Sequence, residues 1–225
     1  MPSVAVLVPA GGMGVRLGHR VPKQFLKIRG VTILAVTVRH FAIHPDVDSV
    51  IVAAPSAFVR RTERILAGHA RRVRLAVVAG GDERQESVWR ALQAAPLDVD
   101  IVVVHDAVRP FVTRALIDAV VRAAMDTGAA VCGTPIADTV KRVRGNLVET
   151  TVDRSMLWAV QTPQAFQASL LREAHEKARR DGVTGTDDAM LVERLGHPVR
   201  VVRGTEVNVK ITTPHDLRRA RAVGS

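Results

Sequence analysis

The chain contains one cysteine, no tyrosine and no long apolar run. Because Cys132 stands alone, a disulfide within one chain and a metal site made of several cysteines are both excluded. No stretch stays apolar over the roughly 20 residues that a membrane-spanning helix needs. Residues 1–4 lack the basic region and the small-residue cleavage site of a secretory signal. We therefore expect a cytoplasmic protein without a membrane partner.

Basic residues exceed acidic ones, 32 to 22, which gives a formal net charge of +10. Such an excess suits nucleic acid, an anionic membrane or phosphorylated small molecules as partners. The arginines are scattered along the chain, however, and few aromatic residues accompany them. Stacking platforms for bases are therefore not indicated. We interpret most of this charge as solvated surface and expect no nucleic-acid partner.

Short apolar runs alternate with helical patterns along the 225 residues, of which 47% are hydrophobic. The predicted strands are Ser3–Pro9, Ser49–Ala54, Arg74–Val78, Asp100–His105, Ala129–Cys132 and Val199–Arg203, with Leu157–Gln161 as a return to the sheet. The predicted helices are Val31–Phe41, Ala57–Ala67, Glu83–Ala94, Thr113–Thr127, Gln167–Arg180, Asp187–Leu195 and Thr213–Val223. Asp82 is the expected N-cap of the third helix, with Gln85 as its capping partner. The pattern predicts one α/β domain over residues 1–225, with a mostly parallel sheet covered on both faces.

One segment departs from this alternation. Asp138–Asp153 has β-prone residues on both sides of Gly145 and Asn146, which predicts a β-hairpin arm at about 137–155. The arm has little apolar mass of its own. A second subunit is the simplest surface for it to pack on, so we expect a homodimer.

Polar clusters directly follow three of the predicted strands: Gly11–Lys23, Gly80–Ser87 and His105–Arg109. Ligands of parallel sheets bind beyond the carboxyl ends of the strands. The first cluster contains glycines and cations in close succession: Gly11, Gly12, Gly14, Arg16, Gly18 and Lys23. Glycines let backbone N–H groups approach phosphate oxygens, and the cations neutralise them. This loop predicts a nucleoside triphosphate site, although it matches neither a Walker A loop nor a dinucleotide fingerprint.

The loop, followed by Pro22-Lys23-Gln24, resembles that of the nucleotidyltransferases that activate sugars and sugar alcohols. Within them, the chain most resembles the 2-C-methyl-D-erythritol 4-phosphate cytidylyltransferase family of the non-mevalonate isoprenoid pathway. Further segments carry the resemblance over essentially the whole chain: Gly80–Arg84, Ser87–Val88, Val104–Pro110, Asp138–Lys141, Thr151–Arg154, Gln161–Gln164, Thr186–Asp188 and Asn208–Lys210. The resemblance implies a three-layer, Rossmann-like nucleotidyltransferase fold.

The resemblance also implies the reaction, in which CTP and 2-C-methyl-D-erythritol 4-phosphate give the CDP-alcohol and pyrophosphate. The substrate phosphate attacks the α-phosphorus in line, so catalysis consists of positioning and charge stabilisation. Arg16 and Lys23 match the family's two transition-state cations. Asp106 matches its Mg²⁺ carboxylate, and one carboxylate together with phosphate oxygens suits Mg²⁺. No general base is required, since the attacking phosphate is already anionic, and His105 and His215 are therefore not assigned to catalysis.

The other site residues are likewise implied by matching positions. Those expected to bind CTP are Ala10, Gly11, Gly12, Gly14, Gly81, Asp82, Ser87 and Lys210. Those expected near the alcohol phosphate are Asp106, Ala107, Arg109, Thr139, Arg154, Thr162 and Thr186. In the family, the counterparts of Thr139 and Arg154 reach the neighbouring subunit's site, which implies a homodimer with shared sites.

Three other functions stay open at this point. The first is a ribitol 5-phosphate cytidylyltransferase, which shares the nucleotide half of the site. The second is a basic nucleic-acid-binding domain, whose affinity would fall steeply with salt. The third is a regulator that binds CTP without catalysis. Some relatives in the family are fused to the enzyme of a later pathway step. Because this chain ends at Ser225, after its last predicted helix, we expect it to be monofunctional.

Overall fold

The structure, a computed structural model, describes residues 2–12, 21–70 and 72–222. Its strands, in chain order, are β1 (Val4–Pro9), β2 (Lys27–Ile28), β3 (Val31–Thr32), β4 (Val47–Ala54), β5 (Arg74–Ala79), β6 (Ile101–Val104), β7 (Ala129–Pro135), β8 (Val140–Arg144), β9 (Leu147–Val152), β10 (Trp158–Gln167) and β11 (Arg200–Arg203). Its α-helices are α1 (Ile33–Ala42), α2 (Val59–Leu66), α3 (Arg84–Ala94), α4 (Arg114–Thr127), α5 (Ala168–Asp181), α6 (Asp188–Glu193) and α7 (Pro214–Ala222).

Seven strands form one sheet in the order β11-β7-β10-β6-β1-β4-β5. Strand β10 is antiparallel to both of its neighbours, and the other paired strands are parallel. This confirms the mostly parallel sheet. It also brings the carboxyl ends of β1, β5 and β6 to one edge of the sheet, together with the first half of β10.

The sheet is the middle of three layers. Side chains of β1 alternate between two cores, because successive residues of a strand point to opposite faces. Val4, Val6 and Val8 pack with buried residues of α1 and α4, whereas Ala5 and Leu7 pack with those of α3 and α5. The structure thus confirms a sheet covered by helices on both faces.

A small third cluster connects α7 to the edge of the sheet that carries the polar loops. Ile211 is fully buried there beside Val108 and Leu217. The backbone N–H of Ile211 also donates to the Val108 carbonyl at 2.9 Å. Lys210, which precedes Ile211, is thereby held next to the loop that follows β6.

The prediction for the start of α3 is wrong. The N-cap is Glu83, not Asp82, and no side chain makes a capping bond. Gln85 bonds instead with the segment before α6: its Nε2 donates to the Val183 carbonyl at 3.0 Å, and its Oε1 accepts from the Gly185 N–H at 2.8 Å. A long-range contact has therefore replaced the local one.

Two other boundaries differ from the expectations. The first helix begins at Ile33, after the short strand β3, because Thr32 caps it by accepting from the Ala35 N–H at 3.3 Å. Strand β10 continues to Gln167, well beyond the predicted Gln161. Pro163 argues against a continuous strand, but the pairing with β7 shifts register between Gln161 and Gln164 and accommodates it.

Strands β8 and β9 pair with each other as a separate antiparallel two-stranded sheet, which confirms the hairpin arm. Most of its residues are exposed. None of the helices in residues 2–12, 21–70 and 72–222 combines the length and the apolar character needed to cross a membrane.

Candidate active site

The candidate site lies where the loops after β1, β5 and β6 meet. Ala10 follows β1, and its N–H donates to the Ala53 carbonyl at 2.8 Å. Gly80 follows β5, and its N–H donates to the Ala54 carbonyl at 2.7 Å. The residues that follow β1 and β5 therefore both hydrogen-bond to the end of β4, which lies between these strands in the sheet.

A first cleft opens between these three loops. Its lining combines glycines and other small residues with charged ones, and it consists of Pro9, Ala10, Gly11, Gly12, Lys23, Gln24, Gly81, Asp82, Glu83, Arg84, Ser87, Asp106, Ala107, Val108 and Lys210. Every predicted CTP-binding residue that the structure describes is in this lining. Gly14 and Arg16 lie outside the described residues.

Glycine at position 11 allows the first loop to approach the second loop and α3, and glycine at position 81 allows the second loop to pack against α3. A Cβ on Gly11 would lie 2.7 Å from Ser87 Oγ, and one on Gly81 would lie 2.0 Å from Glu86 Cγ. Ser87 Oγ accepts from the Gly81 N–H at 3.1 Å and can donate to the Glu83 carbonyl, also at 3.1 Å. Ser87 therefore stabilises the second loop in addition to lining the cleft.

Gln24 anchors the first loop through hydrogen bonds to its backbone. It was not among the predicted site residues. It is buried, and its Nε2 donates to the Ala10 carbonyl at 2.6 Å and to the Gly12 carbonyl at 3.2 Å. One side chain thus ties the residues after Lys23 to the glycines after β1. The Pro-Lys-Gln motif was the available signal, but only its lysine had been assigned.

Asp106 is the buried acid at the floor of the cleft. Its Oδ1 lies 3.2 Å from Arg84 Nε, and its Oδ2 lies 2.9 Å from Lys210 Nζ and 3.5 Å from Arg109 Nε. Burial would raise the pKa of this carboxyl, but Arg84, Lys210 and Arg109 outweigh burial and hold the pKa well below its usual range. Asp106 is therefore ionised at neutral pH, among more positive than negative groups.

A second cleft adjoins the first on the side of β10. It is lined by Arg84, Asp106, Arg109, Val160, Gln161, Thr162, Gln164, Thr186, Asp187 and Lys210. Arg84, Asp106 and Lys210 belong to both linings. The predicted alcohol-phosphate residues Arg109, Thr162 and Thr186 therefore lie beside the predicted CTP residues, and Asp106 stands at the junction.

Buried hydrogen bonds fix this junction to the sheet. The Asp106 N–H donates to Thr162 Oγ1 at 3.0 Å. Arg109 Nη1 donates to the Asn208 carbonyl at 2.7 Å, and Asn208 Nδ2 donates to the Thr162 carbonyl at 2.8 Å. The loop after β6, strand β10 and the segment that carries Lys210 therefore form one hydrogen-bonded unit.

Arg84 is the main side chain that sequence reasoning missed. It lies in the quoted Gly80–Arg84 motif but had no role assigned. It bridges Asp106 and Asp188, with Nη1 2.7 Å from Asp188 Oδ2. Burial lowers the pKa of Arg84, but the two carboxylates outweigh burial and raise it overall, so the guanidinium is permanently charged.

Neither Thr139 nor Arg154 belongs to the lining of the two clefts, as far as residues 2–12, 21–70 and 72–222 define that lining. Both are exposed and lie at the two ends of the arm. Arg154 Nη1 donates to the Ala137 carbonyl, across the base of the arm.

A separate group of potential metal ligands is His44, Asp46 and Asp118, whose ligand atoms lie within 4.8 Å of one another. Both ring nitrogens of His44 are already used. Nε2 lies 2.9 Å from Asp118 Oδ1, and Nδ1 accepts from the Asp46 N–H at 3.3 Å. His44 and Asp46 precede β4, so the group lies at the edge of the sheet opposite the clefts. We assign it a structural role.

Comparison with known proteins identifies the family. Residues 4–224 match the model of the family described as 2-C-methyl-D-erythritol 4-phosphate cytidylyltransferase. The chain belongs to this family. A relative of that name from Symbiobacterium thermophilum is 49% identical over 218 residues, which cover 96% of this chain and 91% of the relative. Another from Syntrophotalea carbinolica is 46% identical and covers 98% and 95% of the two chains.

Solved structures of the family have the same fold. The 2-C-methyl-D-erythritol 4-phosphate cytidylyltransferase of Thermus thermophilus superposes with a TM-score of 0.81, at 41% identity over 98% of each chain. The 4-diphosphocytidyl-2C-methyl-D-erythritol synthase of Anaerococcus prevotii gives 0.86, at 27% identity over 98% of this chain and 97% of that one. The resemblance seen in the motifs and the Rossmann-like nucleotidyltransferase fold are both confirmed.

The site geometry also generates a prediction for His105, which follows β6. The ring is fully buried, and its Nε2 lies 3.0 Å from the Arg109 carbonyl, so Nε2 is the protonated nitrogen. Burial lowers the pKa of His105 to about 4 from 6.5. Between these values the unfolded chain binds a proton that the folded chain does not, so stability is lost as the pH falls through this window.

We expect His105 to make the free energy of unfolding fall by about 3 kcal/mol between pH 7 and pH 4. Urea unfolding across this range should therefore show a smaller pH dependence for His105→Gln, whose amide can still donate to the Arg109 carbonyl. His215→Gln, at an exposed histidine, is the control. Equal pH dependence in wild type and His105→Gln would contradict the assignment.

Proposed function

We propose that this protein transfers the cytidylyl group of CTP to 2-C-methyl-D-erythritol 4-phosphate, releasing pyrophosphate and forming 4-diphosphocytidyl-2-C-methyl-D-erythritol. The observation that carries the proposal is the junction of the two clefts. A cleft lined by glycines and charged residues and a cleft lined by arginine, glutamine and threonine meet at Asp106, among Arg84, Arg109 and Lys210. Two phosphorylated substrates bound there would have their reacting groups side by side.

Recognition of cytosine falls to the first cleft. The loop after β1 contributes Ala10–Gly12 to its lining, and the loop after β5 contributes Gly81–Glu83. We expect backbone N–H and C=O groups of these two segments to face the base. Cytosine needs a donor for its O2 and N3 and an acceptor for its amino group, and backbone can supply both. The close approach of the first loop to the second at Gly11 fixes the spacing of those groups.

Charge stabilisation falls to the cations. In an in-line attack, negative charge develops on the α-phosphate oxygens and on the leaving pyrophosphate. Lys23 lines the first cleft, and Lys210 belongs to both clefts. We assign Lys23 and, from the family resemblance, Arg16 to the transition state, and Arg109 to the alcohol phosphate. His105 is buried and neutral, in keeping with a reaction that needs no base.

The residues present suit a divalent cation at Asp106. Its carboxylate is ionised, and its two oxygens offer about four acceptor positions. The contacts with Arg84 Nε and Lys210 Nζ use two of them, while Arg109 Nε lies 3.5 Å away, so positions remain for a metal ion. One carboxylate plus triphosphate oxygens is a typical environment for Mg²⁺. Asp106 would hold Mg²⁺, and the bound ion would supply positive charge for the leaving pyrophosphate.

A CTP-consuming enzyme works where nucleoside triphosphates are made, so we propose that the protein acts in the cytoplasm. We propose one domain over residues 1–225, with the arm as the dimer contact. The arm and the residues that join it to β10 expose apolar side chains, including Leu147, Val148 and Met156, the last at 86% exposure. Exposed apolar clusters of this kind mark association surfaces.

The function is tested by measuring pyrophosphate release with CTP and each of two acceptors. We expect faster turnover of 2-C-methyl-D-erythritol 4-phosphate than of ribitol 5-phosphate. Equal or better turnover of ribitol 5-phosphate would favour the ribitol enzyme. CTP binding without pyrophosphate release with either acceptor would indicate a regulator, and salt-sensitive DNA or RNA binding without either would indicate a nucleic-acid-binding domain.

Replacing Lys23 tests the assignment of the transition-state cation. We expect Lys23→Ala to lower kcat by about 100-fold or more, with a smaller effect on the Kd for CTP, because a charge used mainly in the transition state is lost. Steady-state kinetics and calorimetry measure the two quantities. Lys27→Ala is the matched control, since Lys27 is exposed and outside both clefts. A defect confined to KM would mean that Lys23 only binds the ground state.

Mixing two inactive variants tests the shared sites. If Arg154 serves the partner's cleft, a mixed dimer of Arg154→Ala and Lys23→Ala has one site with both residues intact and one with neither. Random subunit exchange should then restore about a quarter of wild-type activity, since half of the dimers are mixed. Lys23→Ala mixed with itself gives the baseline. Confirmed exchange without recovery would show that Arg154 does not act across the dimer.

A further inference from the structure

A chain of buried charged groups extends from Asp106 away from both clefts. Arg84 Nε lies 3.2 Å from Asp106 Oδ1, and Arg84 Nη1 lies 2.7 Å from Asp188 Oδ2. The other oxygen of Asp188 lies 3.0 Å from His175 Nε2. The three residues behind Asp106 come from α3, α6 and α5, so the chain spans three helices.

Asp188 and its partner His175 are almost completely buried. The Asp188 side chain is 1% exposed, and that of His175 is 0% exposed. The His175 ring is in turn held against Trp89, with centroids 6.1 Å apart and planes at 18°. Asp188 therefore has both oxygens occupied and is fixed from behind by a packed ring.

A buried carboxylate of this kind is not explained by stability alone. Burying charged groups is costly, and well-packed apolar residues often serve a core equally well. What Asp188 provides is orientation. The guanidinium is planar and rigid, so fixing Nη1 also fixes the direction in which Nε points. Nε points at Asp106, whose other oxygen is bound by Lys210.

We propose that Asp188, held by His175, is a positioning residue that acts through Arg84 to fix the carboxylate of Asp106 at the junction of the two clefts. The inference rests on the proposed function in naming Asp106 as a site residue. Without Asp188, the fork of Arg84 could turn and Asp106 could adopt other rotamers. Groups one contact removed from a site commonly affect activity by about 10- to 100-fold.

The experiment compares Asp188→Asn, Arg84→Gln and the double variant with wild type in pyrophosphate release. Each single variant should lower kcat by about 10- to 100-fold, with the Kd for CTP changed by less than about threefold. The double variant should be no slower than the slower single one, because the two residues act as a unit. A double defect equal to the product of the single defects would mean that Asp188 does not act through Arg84.

Two further variants separate positioning from general destabilisation. Asp118→Asn removes the carboxylate partner of buried His44 at 2.9 Å, at the opposite edge of the sheet. It should lower the unfolding midpoint without changing kcat. Arg84→Lys keeps the charge but lacks the fork that spans two carboxylates, so it should lose activity like Arg84→Gln. Since Arg84 is partly exposed, this variant remains informative should Asp188→Asn fail to fold.

Wild-type kcat in Arg84→Lys or in folded Asp188→Asn would overturn the inference while leaving the proposed function intact. Absence of pyrophosphate release in wild type would instead contradict the proposed function. A crystal structure of Asp188→Asn supplies a readout that does not depend on turnover. We expect it to show the contact between Arg84 Nε and Asp106 Oδ1 broken, and an unchanged contact would argue against positioning.

Discussion

The structure of the site depends on one buried ionic interaction, that of Asp106 with Arg84, Arg109 and Lys210. The three cations come from the start of α3, from the loop after β6 and from the segment before α7, so their contacts hold separate parts of the chain at one point. A single ion pair would not offset the cost of burying the Asp106 carboxylate, since taking one charge out of water costs several kcal/mol. Together they keep the carboxylate ionised and leave the surroundings net positive, as two phosphorylated ligands require.

The two clefts are lined differently because different kinds of structure build them. The first is built from loops that follow parallel strands, where glycine permits close approach. The second presents side chains of β10 and of the segment before α6, including Thr162, Gln164 and Thr186. The antiparallel direction of β10 is the reason that its first half reaches this edge. One reversed strand thus adds a second binding surface to a parallel sheet.

Sequence reasoning predicted the residues that line the clefts better than the residues that hold them in place. The parallel sheet followed from apolar runs, and the loops after β1, β5 and β6 followed from glycine and charge at the strand ends. Asp106 and Lys210 were recognisable through the family motifs. Gln24, Arg84 and Asp188 also lie in those motifs but had no role assigned, because their partners lie at other loops or helices and local patterns carry no information on such contacts. The same limit explains the error at Asp82, where a local capping rule competed with the contact of Gln85 to residues 183–185.

The arm shows how far one chain can account for a complete site. Its two strands pair with each other, yet their side chains cover no core and most of them are exposed. Arg154 and Thr139 stand at its base, away from the clefts of their own chain. The cations around Asp106 are shared between that carboxylate and any phosphate that binds beside it. A partner's arm that brought Arg154 to this junction would add positive charge without disturbing the contacts of Asp106, and this is the physical argument for the proposed dimer.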